Sequence, residues 1–176
     1  MLQHHNFQTP PAKPDPKLAP ADSKEVPSLP VEDARLAFAP HVPPPIRRDY
    51  PAKVRVEMDT NIAIIPLTRQ HKYKAWTFNG HVPGPFIRAR QGDTLEVAFT
   101  NRDEDGIAHN IFFHAVTGPG GGSQVLFAEQ DERRVGRFKL LYPGLYIYHC
   151  AAAPIPMHIA NGMYGLVLVE SADPER

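Results

Sequence analysis

From residue 52 onward, apolar and polar residues alternate in short runs. AKVRVEM places Val54, Val56 and Met58 on one face, and TLEVAFT does the same with Leu95, Val97 and Phe99. A period of two is that of a strand with one buried face. NIAIIPL, KYKAWTF, FIRAR, HNIFFHAV, RVGRFKL, GLYIYHC and YGLVLVE continue the β-rich pattern, punctuated by turn formers such as NGHVPGP and QGD. No sustained helical period and no internal repeat appears. Roughly seven to nine short strands at this spacing predict an all-β fold, an antiparallel Greek-key β-sandwich, over residues 51–176. GLYIYHC and GLVLVE are apolar or neutral on both faces. Such strands need a second cover: the N-terminal arm, a loop or another subunit.

Before residue 51 the pattern is different. Twelve of the 20 prolines fall within the first 51 residues, in a polar and charged stretch. Proline removes backbone donors and favours extended geometry, so residues 1–50 are expected to form a flexible Pro-rich arm. Only VEDARLAF offers a short helix there. His4, His5 and His41 lie in this arm and read as solvated side chains or as contacts to a neighbouring subunit.

Composition narrows the function. With 176 residues, one domain is expected, and the formal net charge is zero. A balanced chain has no field of one sign to recruit nucleic acid or an anionic membrane surface. No run of about eighteen apolar residues predicts a membrane span. Met1 does not lead into a basic and then apolar signal segment, which suits either a cytoplasmic protein or a mature form carrying a start Met. The single cysteine, Cys150, excludes an internal disulfide.

Alternation sorts the metal-binding side chains. His109 and His114 are five apart in HNIFFH, and His149 and Cys150 are adjacent, so each run sends one donor inward and one outward. Pairing His109 with Cys150 gives an inner site; pairing His114 with His149 gives an outer one. After Cys150 come seven residues, His158, four residues and Met163. A thiolate, two imidazoles and a weak thioether form the ligand set of a type 1 (blue) copper site. Pro154 and Pro156 would stiffen the ligand loop. Zinc also accepts Cys and His, but a Met ligand suits it poorly. A Cys nucleophile with a His base leaves Met163 and the second histidine unexplained. Met157 is an alternative axial ligand, awkwardly placed beside His158.

HNIFFHAVTGPGGG and GLYIYHCAAAPIPMHIANGMYGLVLVE resemble the first cupredoxin domain of copper-containing nitrite reductases. The resemblance spans the β region. It implies a cupredoxin fold, type 1 copper on His109, Cys150, His158 and Met163, and a type 2 copper on His114 and His149 at the interface of a homotrimer. It also implies a periplasmic location and a redox partner protein. In the family, the adjacent His–Cys pair carries the electron between coppers, and His149–Cys150 retains it. Two departures bear on activity. The family's second domain, which supplies the third type 2 histidine and a catalytic histidine, would begin about where this sequence stops. The family's proton-handling Asp is replaced by Phe112. Weak or absent nitrite reduction is therefore expected, with electron transfer as the main function. The alternative is a trimeric copper enzyme reducing nitrite or another small oxidant, and a third reading is copper storage or sensing. A third outer ligand could come from a neighbour, with His71 and His81 as possibilities.

Overall fold

A computed structural model describes residues 28–173. Two sheets pack face to face. The first contains β1 (Val31–Asp33), β2 (Lys53–Pro66), β3 (Lys72–Phe78), β5 (Thr94–Asn101) and β7 (Arg133–Lys139). The second contains β4 (Ile87–Arg90), β9 (Tyr164–Glu170), β8 (Gly144–His149) and β6 (Phe112–Phe113), in that order. The expected all-β sandwich is the architecture found. Its sheets are mixed rather than wholly antiparallel: β1 with β2, β2 with β5, and β4 with β9 run parallel.

The runs AKVRVEM and NIAIIPL are one continuous strand, β2. Its first half pairs with β5 through Thr60↔Asn101, and from Thr60↔Phe78 onward it pairs with β3. Val54, Val56 and Met58 face the core, as do Leu95, Val97 and Phe99 opposite Ile87, Ala89, Val167 and Val169. Each large side chain fully buried in this way contributes about 1.5–3 kcal/mol. Tyr148 lies at the centre, fully buried, its hydroxyl donating to the Pro85 carbonyl at 2.7 Å. Gly165 makes room for it, since a Cβ there would sit 2.3 Å from the Tyr148 hydroxyl.

Two local expectations are corrected. VEDARLAF does not form a helix; Val31–Asp33 is strand β1, which fills the open edge of β2. Edge pairing satisfies backbone groups that an isolated turn of helix would leave exposed. Conversely, a short helix absent from the sequence reading, α1 (Ile155–Ala160), lies in the ligand loop. Residues 28–50 run along the sandwich. There Arg48 donates to both carboxylate oxygens of buried Asp93, at 2.7 and 2.5 Å, and to Glu32 at 2.9 Å. The first 27 residues of the expected arm, with His4 and His5, lie outside the described residues.

Candidate metal centre

Two segments bring the inner donors together, the stretch after β5 and the loop between β8 and β9. His109 follows the loop after β5 and is pinned by reciprocal backbone bonds with Ala128, at 3.1 and 2.9 Å. Cys150 directly follows β8, and its amide donates to the Met163 carbonyl at 3.1 Å. His158 sits on α1, and its carbonyl accepts from the Met163 amide at 3.2 Å. The loop thus closes on itself around residues 150, 158 and 163.

The donor atoms converge. His109 Nδ1 lies 3.1 Å from His158 Nδ1, and Cys150 Sγ lies 3.8 Å and 3.3 Å from these two nitrogens. All three side chains are buried, and Met163 is buried in the same cluster. Met157, by contrast, is 45% exposed. Among the described residues this is the one group of three or more metal-ligating side chains of the His, Cys, Asp and Glu types.

Supporting residues that the sequence did not reveal surround the donors. Asp103 is buried, and its Oδ2 lies 3.1 Å from His109 Nε2. Its Oδ1 accepts from the amides of Asp105 and Ile107, at 2.9 and 3.3 Å. Asn101, at the end of β5, fixes that loop through Nδ2 bonds to the carbonyls of Ile107 and Ala128. Asn110 Oδ1 accepts from the Ala151 amide at 2.6 Å, holding the chain just after Cys150. Trp76 packs its indole against both imidazoles. These residues come from loops and a distant strand, where no periodic signal marks them.

Burial dominates the protonation of the inner groups. It lowers the His158 pKa to about 4, with His109 adding to the effect. Burial also lowers His109, against the opposing pull of Asp103. It raises the Cys150 thiol, against backbone amides of Asn110 and Ala152 that act to lower it. Both imidazoles are therefore neutral near pH 7, each with a lone pair to donate.

The sequence pattern of the family described as Multicopper oxidase matches residues 60–174. The chain belongs to this family. It is 55% identical over 142 residues to a copper-containing nitrite reductase of Neisseria meningitidis serogroup A, an alignment covering 81% of this chain and 37% of that protein. A copper-containing nitrite reductase of Cereibacter sphaeroides is 33% identical over 157 residues, covering 83% of this chain and 42% of that protein. The chain thus spans well under half the length of these relatives. A solved nitrite reductase from Thermus scotoductus SA-01 superposes with a TM-score of 0.65 at 26% identity, over 71% of this chain and 29% of that one. The fold is that of a cupredoxin domain, homologous to part of the copper-containing nitrite reductases.

The donor set fits the metal named by this family. One soft sulfur and two imidazole nitrogens on buried side chains, with a buried thioether in the same cluster, match copper better than a hard-ligand cation.

This cupredoxin domain also carries the outer pair. His114 Nε2 and His149 Nε2 lie 3.2 Å apart. His149 Nδ1 donates to the Cys150 carbonyl at 2.9 Å. Phe112 pairs with His149 across β6 and β8, and their rings stack at 5.4 Å with a 10° tilt. Burial and His149 both lower the His114 pKa. The expected in/out sorting of histidines is found, although only Phe112–Phe113 of HNIFFH is a strand, so the pleat alone does not produce it. His71 contacts Thr68, and His81 stacks on Phe38 at 3.9 Å. Among the described residues no third His, Cys, Asp or Glu joins the outer pair.

Proposed function

We propose that this domain is a type 1 copper electron-transfer protein, in which His109, Cys150, His158 and Met163 would hold the copper. The observation carrying this reading is the convergence of two Nδ1 atoms and one Sγ in a buried pocket. Copper bound there supplies reversible one-electron chemistry, sulfur favouring Cu(I) and imidazole accommodating Cu(II).

The protein's part is to hold that donor set still. Asp103 is an acceptor, so it keeps the proton on His109 Nε2 and turns the Nδ1 lone pair inward. Asn110 and the Cys150–Met163 backbone bond hold the sulfur. Burial excludes water. A rigid set of this kind needs little rearrangement between oxidation states. The redox partner is a one-electron carrier, and the resemblance supports a periplasmic homotrimer.

Nitrite reduction is weak or absent on this reading. Phe112, stacked on His149, offers no proton where the reaction consumes protons, and general acid–base help is worth about 10²–10⁴-fold. The alternative is a trimeric enzyme in which His114 and His149 hold a type 2 copper completed by a neighbouring subunit. The 3.2 Å approach of their Nε2 atoms favours keeping it.

Copper counting with electron paramagnetic resonance tests both. One copper per chain with a type 1 signal alone supports electron transfer. An added type 2 signal supports the enzyme. Colourless, copper-free protein after loading refutes both.

A further inference from the structure

The two inner histidines are held by unlike means. His109 is anchored through Nε2 by the buried carboxylate of Asp103. His158 has no counterpart: the polar contacts of its side chain among the described residues run through Nδ1, toward His109 and Cys150. A ligating imidazole normally has its second nitrogen tied to an acceptor that fixes the ring. Among the described residues no acceptor does this for His158 Nε2.

Trp76 is the group in position. It is the one tryptophan in the sequence. Its ring centroid lies 4.9 Å from that of His158 and 5.7 Å from that of His109, at tilts of 58° and 67°. The two imidazoles are themselves 5.0 Å apart at 79°. The three rings therefore pack as a triangle, each edge or face against the others, within the range of favourable aromatic contact. The indole is only partly buried and lies against the core.

The backbone of Trp76 is fixed to the ligand loop as well. Its amide donates to the Asn161 carbonyl at 3.0 Å. Three residues earlier on the same strand, the Tyr73 hydroxyl donates to Asn161 Oδ1 at 2.5 Å. Gly162 sits so close that a Cβ there would lie 2.9 Å from the Trp76 carbonyl and 2.5 Å from Val82, and its φ is +119°. Strand β3 thus holds the loop between His158 and Met163 in a fixed place relative to the indole.

We propose that Trp76 is the positioning residue of His158, its indole doing by packing what Asp103 does for His109 by hydrogen bonding. The inference rests on the type 1 reading of the site. It predicts that the His158 ring, and not the fold, depends on an aromatic group at position 76.

The test compares copper-loaded wild type with Trp76→Phe and Trp76→Leu. Dissociation constants come from competition with a Cu(I) chelator, and the Cu(II) forms are examined by visible absorption and electron paramagnetic resonance. In metal-free protein, ¹⁵N resonances of His158 report its ring mobility. Trp76→Leu is expected to weaken copper binding about tenfold, change the charge-transfer bands and mobilise His158. Trp76→Phe is expected to restore most of each. A purely structural role would lower the melting temperature of both variants without moving the copper spectrum or His158. Folded Trp76→Leu protein with wild-type spectrum, affinity within twofold and an unchanged His158 overturns the inference. Should Trp76→Leu not fold, Trp76→Val decides it: altered copper bands with a mobile His158 in the folded protein support the role, and a wild-type spectrum with an unchanged His158 resonance overturns it. Wild type that takes up no copper would instead overturn the site reading itself.

Discussion

Asp103→Asn isolates one hydrogen bond. In the native site the Asp103 carboxylate can only accept, so His109 Nε2 carries the proton and Nδ1 keeps its lone pair toward Cys150. Asparagine has nearly the same shape. Its Oδ1 can still accept from the Asp105 and Ile107 amides, which Asp103 Oδ1 now holds at 2.9 and 3.3 Å. Its amide NH₂ then faces His109 Nε2. Donor would meet donor unless the imidazole changes tautomer, and that change places a proton on the nitrogen meant for copper. A hydrogen bond to a charged group is worth about 1.5–3 kcal/mol, and each 1.4 kcal/mol is tenfold. Copper affinity should therefore fall by roughly 10–100-fold, the range seen when such supporting partners are removed. The fold should survive, because the backbone contacts persist. Chelator competition measures the affinity, and ¹⁵N shifts of His109 in metal-free protein report the tautomer. An affinity within twofold of wild type, with Nε2 still protonated, would refute the reasoning.

Other substitutions probe separate parts of the structure. Cys150→Ser should abolish the strong visible absorption of a copper–thiolate bond while far-ultraviolet circular dichroism stays native; retained colour would remove Cys150 from the ligand set. His149→Ala should keep that colour yet lose zinc or copper uptake at the outer pair, and bleaching of the inner centre would show that the two sites are not separate. Arg48→Ala strands the fully buried Asp93 carboxylate, which keeps only the Ala52 and Arg90 amides. Breaking a buried pair in this way costs about 3–5 kcal/mol, read by urea denaturation, and a loss below about 1 kcal/mol would mean that residues 28–50 are not clamped by it. Gly165→Ala drives a methyl into the Tyr148 ring, 2.3–2.6 Å from its nearest atoms, and overpacking of this kind costs about 1–3 kcal/mol. An unchanged melting temperature would contradict that packing.

Much of the centre could be read from residue order. His149 ends β8 and Cys150 is the next residue, so the two side chains leave the chain in opposite directions, and the spacing to His158 and Met163 marked a ligand loop. The core faces of β2 and β5 followed from Val54, Val56, Met58, Leu95, Val97 and Phe99 for the same reason. Strand direction was not legible: parallel and antiparallel neighbours impose the same alternation, so the pairing of β2 with β5 left no mark. Val31–Asp33 became a strand because an edge of β2 was open to it, which no local pattern records. Six-residue α1 escaped notice because its length is under two turns and two prolines border or enter it.

The sequence by itself determined which side chains could serve as donors, since residue type and the order from Cys150 to Met163 are local properties of the chain. Tertiary structure alone decided what orients those donors. Asp103 reaches His109 only because the loop after β5 folds back, and Trp76 reaches His158 only because β3 lies beside the ligand loop. Such contacts arise from how two sheets and their loops pack, a property of the assembled chain that no short window of residues contains.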